Sequence, residues 1–259
     1  MTDSNLLVQT RDARGVVTLC MNDGARFNAL GDEMLAALRA ALAAIAQDPS
    51  VRVVVLAAQG RAFCAGHNLK DMAAHPDRAW YQDLFNRCSQ VMMAIQKLPV
   101  PVIARVQGMA TAAGCQLVAQ CDLAVASSEA SFATSGIQYG LFCATPSVPL
   151  VRNMPIKQAM EMLLTGEFIS AEQALAQGLV NRVAAPEQLD AELETLVAAI
   201  VSKPAAAVRM GKALVYQQRE LGIEAAYQVA SQCMASNMMD VNAQEGAQAF
   251  AQKRKPVWS

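Results

Sequence analysis

The stretch Val102-Ile103-Ala104-Arg105-Val106-Gln107-Gly108-Met109-Ala110-Thr111-Ala112-Ala113-Gly114-Cys115-Gln116-Leu117 decides the fold. A β-branched run ends at Gly108, very small residues form a turn, and an apolar helical segment opens at Leu117 and Val118. Asp122-Leu123-Ala124-Val125-Ala126 then reads as the next strand. Strand, tight turn and helix put unpaired backbone N–H groups at the positive end of a helix dipole. Small side chains at 110–114 let a ligand approach that backbone, where negative charge is favoured. The simpler reading of this stretch alone is that Ala and Gly are packing spacers.

Working outward, the same order occurs upstream. Val51 to Ala57 lacks polar alternation after Arg52, which predicts a strand buried on both faces of a parallel sheet. Gln59 to Asn68 is again a turn of small residues, before Leu69-Lys70-Asp71-Met72. Trp80, Leu84, Cys88, Val91 and Ile95 keep helical spacing, and Pro99 and Pro101 lead into the strand that feeds Gly108. The unit repeats about every fifty residues, which implies α/β architecture with right-handed crossovers. Nearer the start, Leu6 to Thr10 and Val16 to Met21 form a hairpin, and a helix begins near Asp32 and ends before Pro49.

After residue 150 strands nearly vanish. A helix through Met160 to Leu164 stops at Thr165-Gly166, Ser170 with Gln173 forms a capping box, and Gly178 closes the helix that follows. Leu189, Leu193, Leu196 and Ile200 stripe another helix, and two or three more fill 204–251. The expected division is a core over 1–195 and a helical region over 196–259.

Composition narrows the function classes. The chain has 259 residues, 54% of them apolar, and a net charge of −1. It can bury a sizeable core and has no field to attract nucleic acid. Its seven cysteines carry no metal-ligand spacing, and with two histidines no metal site is expected. Met1 to Asn5 lacks a signal peptide's basic and apolar segments, and no apolar run is long enough for a membrane span. A cytoplasmic protein with no membrane association is the expectation.

Several stretches share the wording of one family. Phe27-Asn28-Ala29-Leu30, Phe63-Cys64-Ala65-Gly66-His67, Gly114-Cys115, Leu164 to Ala171 and Ala174 to Val180 occur in the family's order. From about Leu6 to the end the chain resembles the crotonase, or enoyl-CoA hydratase/isomerase, superfamily. Thr111 to Leu117, Ser131-Phe132-Ala133-Thr134, Gly140-Leu141-Phe142-Cys143 and Lys253 to Ser259 resemble one group within it, that of enoyl-CoA hydratase domain-containing protein three. The resemblance implies a crotonase-like spiral of β-β-α repeats with a C-terminal helical trimerisation region, assembled as a homotrimer or a dimer of trimers. It also implies an acyl-CoA thioester ligand, with coenzyme A entering as part of the substrate and no separate cofactor.

By position, the resemblance assigns the backbone N–H groups of His67 and Ala113 to an oxyanion hole around the thioester oxygen. One such donor is worth roughly 2.7–4 kcal/mol of barrier. The two glutamates that hold and activate water in the family's hydratases correspond here to Gln116 and Gly136. A carboxamide orients water without taking its proton, and glycine supplies no group at all. Two-carboxylate hydration is therefore not expected, and an acyl-CoA-binding protein without turnover, or a thioester hydrolase, stands beside a lyase or isomerase. The resemblance places coenzyme A along Ala25, Phe27, Ala65, Gly66 and Leu69, with Asn68, Ala112 and Ser135 as further substrate-binding positions. Arg26, Lys253 and Lys255 are phosphate candidates, and Tyr139 and Cys143 are candidates to line an acyl pocket. Asp122 reads as a structural acceptor.

Overall fold

The computed structural model describes residues 6–259; the reading of Met1 to Asn5 as lacking a signal peptide lies outside them. β1 (Leu7–Arg11) and β2 (Val16–Met21) form the expected antiparallel hairpin, with Leu7 opposite Met21. α1 (Asp32–Ala46) buries Leu35, Leu38, Leu42 and Ile45. The spiral then begins. β3 (Val53–Ala58) pairs parallel with β2, and β4 (Ala62–Cys64) follows after a three-residue bend. α2 (Leu69–Ala74) and α3 (Arg78–Lys97) complete that turn.

The second turn repeats the pattern with β5 (Val102–Val106), β6 (Met109–Thr111) and α4 (Ala113–Gln120). The third has β7 (Leu123–Ser127), β8 (Ser131–Ala133), α5 (Ala144–Asn153) and α6 (Ile156–Thr165). β9 (Ile169–Ser170), α7 (Ala171–Ala176) and β10 (Arg182–Ala184) close the spiral. Each turn thus gives one long strand to a sheet ordered β1-β2-β3-β5-β7-β10 and one short strand to a second sheet ordered β4-β6-β8-β9.

β3 is buried along its whole length, as the uninterrupted apolar run requires. Val54 and Leu56 face the main core, while Val53, Val55 and Ala57 face a second cluster. That second face is covered by Leu189 and Val197 of α8 (Leu189–Val201). The expected capping box is present: Gln173 N donates to Ser170 Oγ at 3.2 Å and Ser170 N donates to Gln173 Oε1 at 2.8 Å.

Two differences from the sequence reading stand out: β4 and β6 sit within stretches read as turns, and α4 begins at Ala113, four residues before Leu117. Beyond residue 150 strands nearly vanish as expected, with β9 and β10 only two and three residues long. Strands of two or three residues are fixed by pairing with their neighbours in space and leave no period in the sequence.

α9 (Ala205–Gln218), α10 (Ile223–Met238) and α11 (Val241–Ala251) follow α8 and bury little of their own surface. α9 is tied to the core by charge. Lys212 Nζ lies 2.7 Å from Asp122 Oδ2 and donates to the carbonyls of Ile95 and Val100, while Tyr216 donates to Asp122 Oδ1. Asp122 also accepts from Val102 N, so it is a structural acceptor. Burial lowers the Lys212 pKa, against the pull of Asp122. No helix among the described residues is long and apolar enough to cross a membrane.

Candidate active site

Two loops meet where β4 and β6 end side by side. The first runs from Ala65 to Asn68 and is held from outside: Ala65 N donates to Phe27 O at 3.0 Å, and Leu30 N donates to Gly66 O at 2.9 Å. The second is the step from β6 into α4. There Ala112 takes φ 51° and ψ −120°, a conformation that costs an alanine about 1–3 kcal/mol. Its own amide donates to Ala133 O at 3.0 Å, and the turn leaves Ala113 at the head of the helix.

Two glycines press the loops together. A Cβ on Gly66, which has φ +85°, would fall 3.0 Å from Ala113 N and 3.0 Å from the Ala112 Cβ. On Gly114 it would fall 2.0 Å from the carbonyl oxygen of Cys64. The His67 and Ala113 amides, on these adjoining loops, donate to no acceptor among the described residues. Unpaired backbone donors in a folded core are rare. A pair of them across a glycine contact, one at a helix N-terminus, suits an oxygen that gains negative charge.

A cavity of about 170 Å³ opens beside them. Ala65, His67, Leu69, Ala112, Ala113, Ser135 and Gly136 line it, as do Tyr139 and Cys143. Met72, Phe85, Leu141, Phe142 and Pro146 also line it and were not singled out from the sequence. Phe85 follows Leu84 on α3 and lies just off the apolar stripe, which is the one signal the sequence carried for it.

Other expected positions lie elsewhere. Ala25 and Arg26 are exposed on a short turn, and the Arg26 guanidinium is spent on Asp23 at 2.8 Å. Phe27 is covered by the Arg61 guanidinium, 4.6 Å from its ring centre. Gly66 is the spacer described above. Asn68 caps α2 by accepting from Lys70 N. Lys253 and Lys255 are exposed on a tail bound to α11 through the Arg254–Glu245 pair, and within one chain neither lines the cavity.

The two positions expected to correspond to the family's glutamates, Gln116 and Gly136, are both closely packed. Gln116 is buried on α4, its Oε1 has no partner, and it is not among the cavity-lining residues. Gly136 lines the cavity with its backbone, but its side-chain direction is blocked: a Cβ there would fall 2.6 Å from Leu141 O and 2.8 Å from Cys143 Sγ. The neighbouring chain and a thiol occupy the room a second carboxylate would need.

Burial favours the neutral forms of His67, Cys143 and Cys115. His67 Nδ1 lies 2.8 Å from Leu30 O and donates to it, which leaves Nε2 as a buried acceptor without a partner. Burial, with a smaller push from Arg87, holds its pKa below the ordinary 6.5. Burial raises the Cys143 thiol and pushes Cys115 up to about 12, so both stay protonated. A larger cleft of about 370 Å³ adjoins α2 and is lined by Asp23, Asp32, Glu33 and Asp71. Four carboxylates against Arg26 and His75 make it a poor seat for phosphate.

Comparison with known proteins shows the family and the fold. Residues 11–259 match the family model described as enoyl-CoA hydratase/isomerase. The chain belongs to the enoyl-CoA hydratase/isomerase family. Its structure superposes on that of an enoyl-CoA hydratase from Mycobacterium smegmatis with a TM-score of 0.96 and 62% identity, over 98% of each chain. Human enoyl Coenzyme A hydratase domain-containing protein 3 superposes with a TM-score of 0.93 and 42% identity, over 98% of this chain and 100% of that one. The mouse relative named enoyl-CoA hydratase domain-containing protein 3, mitochondrial, is 45% identical over 98% of this chain and 84% of its own length. The fold is therefore the crotonase fold, and the group resemblance read from Thr111 to Leu117 and the C-terminal wording holds.

The same names correct one expectation. The mouse, rat and human relatives are all designated mitochondrial, which overturns the cytoplasmic assignment. That assignment rested on the lack of a secretory signal, and organellar transit peptides are amphipathic and Arg-rich, so the test was blind to them.

Proposed function

We propose that this family member binds an acyl-CoA thioester and stabilises the oxyanion or enolate of its carbonyl with the His67 and Ala113 amides. One observation carries this reading: two adjoining backbone donors, free of protein acceptors, open beside an apolar cavity. Polarisation draws electron density from the Cα–H bond and from the carbonyl carbon, so it serves lyase, isomerase or hydrolytic chemistry equally.

Ordinary two-carboxylate hydration is weak or absent in this reading. Neither Gln116 nor Gly136 can take a proton from water, and the packing around Gly136 leaves no place for a substitute there. The neutral surroundings of the cavity also favour a second reading, an acyl-CoA-binding protein without turnover. Mixing the protein with crotonyl-CoA separates the outcomes. Binding without loss of the enoyl absorbance fits the proposal, and hydration at the rate of a two-glutamate hydratase contradicts it. Release of free thiol would identify a hydrolase.

The assembly proposed is a homotrimer, or a dimer of trimers, joined through the helical region. Ile223, Tyr227, Met234, Met239 and Phe250 stand 69–87% exposed there, far more apolar surface than a lone helix end leaves in water. Light scattering on a sizing column gives the subunit number.

A further inference from the structure

We infer that Lys212 is a positioning residue for the candidate site: from α9 it pins the foot of α4, and so sets where the Ala113 amide stands at the helix head. This rests on the reading of the amide pair given above. It holds whichever part of the thioester fills the cavity.

α4 is a short rod. Its eight residues span about 12 Å, so what fixes one end bears on the other. The peptide dipoles lie roughly along the axis, which makes the Ala113 amide sensitive to axial slip. Ala113, Gly114, Cys115 and Ala119 are small, leaving Gln116, Leu117 and Val118 to key the rod into the core. Its axial place is therefore set largely at the ends. At the head the ties are the Ala112 amide on Ala133 O and the close approach of Gly114 to Cys64.

At the foot, Asp122 follows Cys121 and is joined to β5 twice. Its amide donates to Val102 O at 3.0 Å, and its Oδ2 accepts from Val102 N at 2.7 Å. From α9, Lys212 Nζ donates to Oδ2 at 2.7 Å and the Tyr216 hydroxyl to Oδ1 at 2.8 Å. Lys212 gives its other donors to Ile95 O and Val100 O at 3.0 and 2.9 Å, and its side chain is only 6% exposed. Attachment of α9 does not require this, since Arg209 holds Pro49 O and Val51 O and Arg219 holds Arg152 O. A buried ion pair adds little net stability. What Lys212 supplies is one fixed point shared by the ends of α3 and α4 and the start of β5.

The infrared band of hexanoyl-CoA, carbon-13 labelled at its carbonyl and bound to the protein, reads the amide pair, and calorimetry gives its Kd. Lys212→Met alone strands the Asp122 carboxylate, so the test variant combines it with Asp122→Asn, which keeps an acceptor for Val102 N. The pair should bind about fivefold more weakly, with its band moved back toward the solution frequency. Arg209→Met loosens α9 at the other end and should leave band and Kd unchanged. If the double variant unfolds, as a melting curve reports, Tyr216→Phe should show a smaller shift in the same direction. Folded variants at Asp122 and Lys212, or failing them at Tyr216, that keep the wild-type band and Kd overturn the inference. So does an equal band shift in Arg209→Met. A wild-type complex whose band is not displaced, or a wild type that binds no hexanoyl-CoA, contradicts the amide reading itself.

Discussion

The two halves of the cavity are built from different materials. The half proposed to hold the oxyanion is backbone: two amides set by β4, β6 and the head of α4, and by glycines that admit no side chain. The acid–base half depends on side chains, and here it is filled with a buried carboxamide, a glycine and a thiol. A scaffold can lose its side-chain chemistry by substitution and keep its backbone chemistry as long as it folds.

The largest effect should come from breaking the backbone half. Gly114→Ala drives a methyl group into the Cys64 carbonyl, a contact with main chain that cannot move aside, and should cost at least about 3 kcal/mol in chemical denaturation. Gly31→Ala, at a position with nothing within 4 Å, is the matched control and should change stability by well under 1 kcal/mol. Equal losses in the two variants would mean that the loops are not locked as described.

Next comes the side-chain half. Gln116→Glu buries a carboxylate where even the amide oxygen has no partner. Its folded pKa should rise above the unfolded value of about 4.3, so stability is lost as pH climbs through that interval. The variant should match wild type near pH 4 and melt well below it at pH 8. Adding Gly136→Glu should not restore hydration of crotonyl-CoA, because the new side chain begins inside Leu141 and Cys143.

A smaller effect belongs to His67. Its folded pKa is depressed, so the unfolded chain binds the extra proton. Stability is then full above pH 6.5 and falls as pH drops below it. His67→Gln should flatten that slope in melting curves between pH 7 and pH 5. Smallest is Ala112→Gly, which relieves a positive φ and should be neutral or stabilising by about 1 kcal/mol, with acyl-CoA affinity retained.

How far the sequence could be read follows the same divide. Val53 to Ala58, the α3 stripe and the Ser170 capping box were legible because periodicity and local hydrogen bonding leave marks along the chain. The turns that present the two amides were legible through their small residues. The short strands beside them were not, since pairing in space defines them. Nor was the crowding at Gly136: the glycine is visible in the sequence, but Leu141 O and Cys143 Sγ reach it only through the turn of Ser135–Tyr139. Met72 and Phe85 escaped notice because a cavity floor is assembled from the off-stripe faces of two helices.

The most direct measurement is the infrared carbonyl stretch of a thioester carbon-13 labelled at its carbonyl and bound to the protein. Two amide donors lengthen the C=O bond, so hexanoyl-CoA should show a band at lower frequency when bound than when free in water. A bound ligand whose carbonyl band stays at its solution frequency would contradict the role given to His67 and Ala113.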